Sequence, residues 1–302
     1  MFCKYLHDLI RITGAALAVL IVFLGFSVAT RPVAAAEPSL PVLEIGVVPY
    51  VGLGELIKAY GPLAVHLEKE LGRPVRIVTG RNYQDYLQKS MERAYPIVVT
   101  ASHFGRLLET DAGYIPVLRP LSTFRIVILV RSDSSLNQLA DLQSARIASP
   151  GVLAQTTMMG RAALSASGVN TSAIQFIDAG NHKSALLAVR NGDADACFVS
   201  EGAFRHMNEE DRKGLRQFAT EQITRRSSIP VIYAISPDVP PAERARLTQL
   251  MLQYANELPS GRAWINGLKY EGLRPPSADE MKSLDGDVSE LRQIFNPRGW
   301  RH

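Results

Sequence analysis

From Leu43 onward, short apolar runs alternate with segments whose apolar residues recur at helical spacing, and this limits the chain to few architectures. Leu43 to Val48 reads as a strand and Leu53 to Leu71 as a helix stopped by Gly72. Val75 to Thr79 is a strand, Tyr83 to Met91 a helix, and Ile97 to Thr100 a strand. His103 to Leu108 makes a short helix, followed by strands near Tyr114 to Leu118 and over Phe124 to Val130. A β-α-β-α rhythm predicts a mainly parallel sheet covered on both faces by its crossover helices.

A second unit with the same rhythm starts near Arg131. Leu136 to Leu142 reads as a short helix, Arg146 to Ala148 as a strand, and about Ala154 to Ser167 as a helix ended by Gly168. Ile174 to Ile177 is a strand, and Phe218 to Thr220 and Ile229 to Ile235 add more. Helices over Pro241 to Leu258 and Ala278 to Ile294 finish the chain, with Asn296 to His302 as a tail. The two long apolar strands bracket the second unit, so the expected topology is two α/β lobes joined by two crossing strands. The expected bounds are 42–127 plus 232–295 for the first lobe and 128–231 for the second. The C-terminal helices return to the first lobe, and hinge closure over a ligand held in the cleft is the expected motion.

Asp178 to Glu201 points to what such a cleft holds. Gly180-Asn181-His182 opens a helix with apolar positions Ala185, Leu186 and Val189; Asn191-Gly192-Asp193 stops it, and Ala194 to Val199 reads as a buried strand ending at Ser200-Glu201. An imidazole thus sits at a helix N-terminus and a carboxylate just past a strand's C-terminal end. Ligand crevices of open α/β sheets form at such ends.

Composition narrows the function classes. The chain has 302 residues, 46% hydrophobic and 21% charged, with a formal charge of +4. Its basic residues are scattered, Arg225-Arg226 being the densest pair, which argues for solvated surface charge and against a nucleic-acid partner. Lys4 and Arg11 precede a charge-free run from Ile12 to Thr30, and Ala34-Ala35-Ala36 follows. That order reads as a secretory signal peptide over 1–36, cleaved after Ala36 and delivering the protein to the periplasm. The alternative is an uncleaved anchor, since the run approaches the roughly 20 residues that span a bilayer. Cys197 is then the only cysteine of the mature chain, so no internal disulfide forms; apolar burial or a soft-ligand role are its two readings.

Three stretches carry a resemblance. GVVPY…AYGPLAVHLEKELGRPVRIVTGRNYQDYL (Gly46 to Leu87), LADLQSARIASPG…LSASGV and AGNHKSALLAVRNGDADACFVSEGAF are similar to the phosphate, phosphite and phosphonate binding proteins of ABC importers, the PhnD-like periplasmic family with the type II two-lobed fold. The resemblance covers about Leu43 to Leu258. It implies a monomeric solute-binding protein without cofactor or metal, closing on a small oxyanion and passing it to an inner-membrane ABC permease. The family rests its oxyanion on a helix N-terminus bearing Ser-Thr-Ser-Gly, and the matching positions here are Ala154-Gln155-Thr156-Thr157. Backbone N–H groups at that helix start can bind an anion without those side chains. Tyr83 matches a tyrosine that donates to the ligand, His182 a histidine facing the anion, and Glu201 a carboxylate that pairs with the ammonium in aminoalkylphosphonate binders. The second carboxylate of that clamp is missing, Ser228-Ile229-Pro230 standing in its region, which argues against aminoethylphosphonate. Where the family places Tyr-Gly or Leu-Gly after its third strand, this chain has Thr100-Ala101-Ser102-His103. The candidate ligand contacts are Tyr50, Tyr83, Thr100, Ser102, His103, Gln155, Thr156, Thr157, His182 and Glu201, with solvent exposure as the competing reading for His103.

Two other functions compete with transport. A periplasmic oxyanion sensor partnering a membrane histidine kinase would use the same closure. A hydrolase would need a Ser or Cys nucleophile beside a His and an orienting acid. No nucleophile elbow or zinc motif occurs, and Ser200 with His182 is the one conceivable pair, though binding explains their strand and helix ends equally well.

Overall fold

The computed structural model describes residues 41–218 and 228–295. The expected leader (1–36), Thr220 of the expected strand, Arg225-Arg226 and the tail at 296–302 lie outside the described residues.

The first lobe opens with β1 (Leu43–Val47), α1 (Leu53–Leu71), β2 (Val75–Val78), α2 (Tyr83–Met91), β3 (Ile97–Ala101), α3 (Ser102–Ala112) and β4 (Ile115–Pro120). The chain then crosses into β5 (Ile126–Arg131), β6 (Arg146–Ser149), α4 (Gln155–Ala166), β7 (Gln175–Asp178), α5 (His182–Asn191), β8 (Ala196–Ser200), α6 (Glu201–His206), α7 (Glu209–Arg212) and β9 (Leu215–Gln217). It returns through β10 (Val231–Ile235), α8 (Pro241–Asn256), α9 (Pro259–Gly267), β11 (Leu273–Arg274), α10 (Ala278–Lys282) and α11 (Asp285–Phe295).

The strands form two sheets, ordered β2-β1-β3-β10-β4-β11 and β7-β6-β8-β5-β9. In each, the second strand of that order, β1 or β6, pairs in parallel with the first and the third. The next position is filled by an antiparallel strand just past a crossing: β10 in one sheet, β5 in the other. Both lobes therefore follow one plan, in which α1, α2 and α3 correspond to α4, α5 and α6. The two crossings touch at Phe124 and Ser228, whose N–H groups donate to each other's carbonyl oxygens at 2.6 and 3.2 Å. Arg119 anchors the first crossing by donating to the carbonyls of Pro120 and Ser122 and pairing with Glu280.

The strand sequences explain their depth. β3, β5, β8 and β10 are nearly continuous apolar runs, as strands covered on both faces must be. Each sheet carries a buried cluster on either face. α1 turns Leu56, Tyr60, Leu63 and Leu67 into one of them, each side chain contributing about 1.5–3 kcal/mol by burial. Gly72, at φ 64°, ends α1 because its left-handed cap lets its N–H reach the Glu68 carbonyl.

Three expectations need correction. The chain between Leu258 and Ala278, to which the sequence pattern assigns no element, carries α9 and β11. PSGRAWING has poor helix propensity, yet Trp264 Nε1 donates to the Ala59 carbonyl at 2.7 Å and Ile265 is buried, so packing on α1 overrides propensity. The helix expected over Ala278 to Ile294 is two helices, broken where Leu284 turns into the core and its N–H donates to Met281. The short helix expected over Leu136 to Leu142 is a 3₁₀ segment, Leu139–Ser144, started by a Gln138–Asp141 capping box.

Candidate functional site

A cavity of about 350 Å³ opens between the lobes, with walls from both. Four of its wall residues are the first residues of helices: Tyr83 of α2, Gln155 of α4, His182 of α5 and Glu201 of α6. Helix starts carry partial positive charge and unpaired amides, so this wall suits an anion. At α4, Thr157 N–H donates to Ala154, while the amides of Gln155 and Thr156 have no acceptor among the described residues. No acidic residue occupies the first turn of α4 or α5.

The local sequence sets two of these starts in the same way. Asn82 caps α2 by accepting from the Asp85 N–H, and Asn181 caps α5 by accepting from the Ser184 N–H. Tyr83 and His182, each following its cap, are thus equivalent positions of the two lobes. The repeated pattern of an Asn cap followed by an aromatic ring is written in the sequence itself and marks the two rings as a pair.

His182 is buried, and the Ser200 N–H donates to its Nδ1 at 3.3 Å. Nδ1 therefore carries no proton, and the neutral ring keeps its hydrogen on Nε2. Burial pushes its pKa down to about 3, so the neutral donor form persists through physiological pH. Burial, reinforced by Tyr50 and Asp178, raises the Tyr83 pKa, and burial raises those of Tyr50 and Tyr270. The cavity thus meets its contents with protonated hydroxyls, a neutral imidazole N–H and helix amides.

Of the ten sequence candidates, Tyr50, Tyr83, Gln155, Thr156, His182 and Glu201 lie on the cavity wall. Thr100, Ser102, His103 and Thr157 do not. Thr100 is buried within β3 and Thr157 inside α4. The Ser102 hydroxyl accepts from Gln155 Nε2 at 2.9 Å, as does that of Ser228, so both hydroxyls hold the glutamine. His103 corrects the expectation of an exposed ring: it is 0% exposed and its Nε2 donates to the Leu153 carbonyl at 2.9 Å. That bond joins the lobes, and Leu153, Ala154 and Met158 pack into the first lobe's cluster beside Phe104. Cys197, paired across from Leu129 in mid-sheet, is fully buried and its pKa is raised by burial, so a soft-ligand role has no accessible sulfur. No group of His, Cys, Asp and Glu among the described residues could hold a metal.

Sequence reasoning missed Arg125, Arg205, Lys269, Tyr270 and Glu271, which also line the cavity. Arg205 was legible as an i,i+4 partner of Glu201, and the two pair at 2.6 Å. Lys269 to Glu271 were hidden because they follow α9.

Two α/β lobes of one strand order, joined by two crossings and enclosing a polar cavity, define the type II two-lobed class of periplasmic binding proteins. Among solved structures, the chain is similar to PhnD1 from Prochlorococcus marinus in complex with methylphosphonate, at 15% identity and a TM-score of 0.72, covering 84% of this chain and 98% of that one. A binding protein component of an ABC phosphonate transporter from Pseudomonas aeruginosa matches at 12% identity and a TM-score of 0.67, covering 85% and 99%. A protein from Xanthomonas citri bound to chloride matches at 17% identity and a TM-score of 0.66, covering 84% and 99%. The chain belongs to the phosphonate periplasmic substrate-binding protein family of ABC transporters, whose model matches residues 45–281. That family consists of periplasmic solute-binding proteins. Among the described residues no helix is long and apolar enough to cross a membrane.

Proposed function

We propose that this protein captures a small oxyanion, such as phosphite, phosphate or a phosphonate, between its lobes by hinge closure and delivers it to an inner-membrane ABC permease. The observation that carries the reading is the cavity walled by four helix starts with unpaired amides at α4. Residues 42–127 plus 232–295 form one lobe of the clamp and 128–231 the other. The protein works as an exported monomer, and its leader is removed after Ala36. Tyr83 and His182 grip the anion from equivalent places in the two lobes, and the Gln155 and Thr156 amides cradle it.

The test is a thermal-shift panel of phosphate, phosphite, methylphosphonate and sulfate. An anion present at 100 times its Kd stabilises the protein by about 2.7 kcal/mol through mass action. His182→Ala should abolish the shift while leaving the ligand-free protein folded, and Thr156→Ala, which keeps the backbone amide, should reduce it only in part. No shift with any anion would refute the reading.

A further inference from the structure

One end of the cavity is built from three charged side chains that the oxyanion reading does not use. The Glu201 N–H donates to the Arg125 carbonyl at 2.9 Å, at the edge of the β5–β8 pairing. The Glu201 carboxylate pairs with Arg205 at 2.6 Å. Arg125, Glu201 and Arg205 all line the cavity, and no ion pair of the Arg125 side chain is found among the described residues. Two arginines and one carboxylate that is already engaged therefore share the cavity lining, and Lys269 and Glu271 line it as well. An ammonium group placed here would have to displace Arg205 from Glu201 and sit beside Arg125. A carboxylate would meet two forked donors suited to bidentate pairing. The cavity also has room beyond the helix starts, because 350 Å³ far exceeds the volume of a bare oxyanion of roughly five heavy atoms.

We propose that the Arg125–Glu201–Arg205 end is a second anion subsite, and that the ligand is an alkylphosphonate whose other end carries a carboxylate. The proposal rests on the oxyanion reading: the phosphonate occupies the helix starts and the carboxylate reaches the two arginines. Arg125 and Arg205 set specificity, and Glu201 competes with the ligand carboxylate for Arg205.

Titration calorimetry on the full mature protein tests this with three probes: methylphosphonate, phosphonoacetate and 2-aminoethylphosphonate. Phosphonoacetate should bind about tenfold or more tighter than methylphosphonate, the scale of one charge-assisted contact. Arg125→Gln and Arg205→Gln should each erase most of that margin while changing methylphosphonate affinity less than about threefold. Glu201→Gln should widen it by removing the repelling carboxylate. Ligand-free melting curves establish that each variant folds; should Arg205→Gln not fold, Arg125→Gln and Glu201→Gln carry the test. Tightest binding of 2-aminoethylphosphonate, lost in Glu201→Gln, would overturn the proposal in favour of an amine site. A phosphonoacetate margin untouched by either arginine variant would also overturn it. In both cases methylphosphonate still binds and the oxyanion reading stands. If none of the probes and no phosphate binds, that reading itself falls, and this subsite with it.

Discussion

Acidification from about pH 7.5 to about pH 5.0 should cost this protein about 4 kcal/mol of folding stability through two imidazoles, before most carboxylates begin to titrate. His103 and His182 are buried, and burial lowers their pKa values from 6.5 to about 4 and about 3. The Leu153 carbonyl beside His103 Nε2 opposes that shift without cancelling it. Above pH 6.5 both rings are neutral in the folded and unfolded chains, and their contribution to stability is fully present. As the pH falls below 6.5 the unfolded chain takes up a proton on each, while the folded protein resists until about 4 and about 3. Stability is therefore lost as the pH descends toward those folded values. At pH 5.0, about 1.5 units below the unfolded pKa, each ring costs about 2 kcal/mol at 1.36 kcal/mol per unit. Domains of this kind have only about 5–15 kcal/mol to lose. His66, also lowered by burial, acts with the same sign. Paired carboxylates such as Glu280, held at about 2 chiefly by Arg274, lose their contribution only below the unfolded value of 4.5. Urea unfolding at the two pH values measures the difference directly. His103→Gln, whose amide can still donate to Leu153, and His182→Gln should each remove about half of it. Equal stability at both pH values, or a full pH effect in the double variant, would refute the argument that these rings are buried neutral.

Three further outcomes follow from packing. A Cβ at Gly160 would stand 2.6 Å from the Phe198 ring, itself fully buried, so Gly160→Ala should destabilise by about 1–3 kcal/mol in chemical denaturation and, by tilting α4, weaken anion-induced thermal shifts. Arg119→Met removes the donor that holds the Pro120 and Ser122 carbonyls and pairs with Glu280, which keeps Arg274; a loss of about 1–3 kcal/mol is expected in urea, and a loss under about 0.5 kcal/mol would show that the anchor is idle. Cys197 should react with a thiol-specific chromogenic reagent only after denaturant is added, and prompt labelling of the native protein would show that its strand is open.

The fold was legible because its signals are local. Alternating periods, Gly72 and Gly192 as stops, and long apolar strands mark two parallel-sheet units and the strands that bracket them, and those features survive in any context. Where local and tertiary forces disagreed, reading failed. Pro259 to Gly267 is helical because Trp264 and Ile265 have α1 to pack on. The helix break at Leu284 coincides with Ser283 and Asp285-Gly286-Asp287, a local signal that the longer apolar period overrode in the reading. The site divides along the same line. His182 was recognisable as a helix start and Glu201 as the residue after a buried strand, both written in a few consecutive residues, whereas Tyr83 and Gln155 were found through the family resemblance. His103 reads as exposed because no family residue matches it, and its burial depends on Leu153, fifty positions away, arriving from the other lobe. Arg125, Arg205 and Lys269 come together only when three segments far apart in the chain reach one cavity. The sequence by itself determined which residues begin helices and which strands are buried, since these depend on hydrogen bonds and burial within short windows. Only the tertiary structure decided which of those ends face one another, because burial and charge pairing between lobes belong to distances that no local pattern encodes.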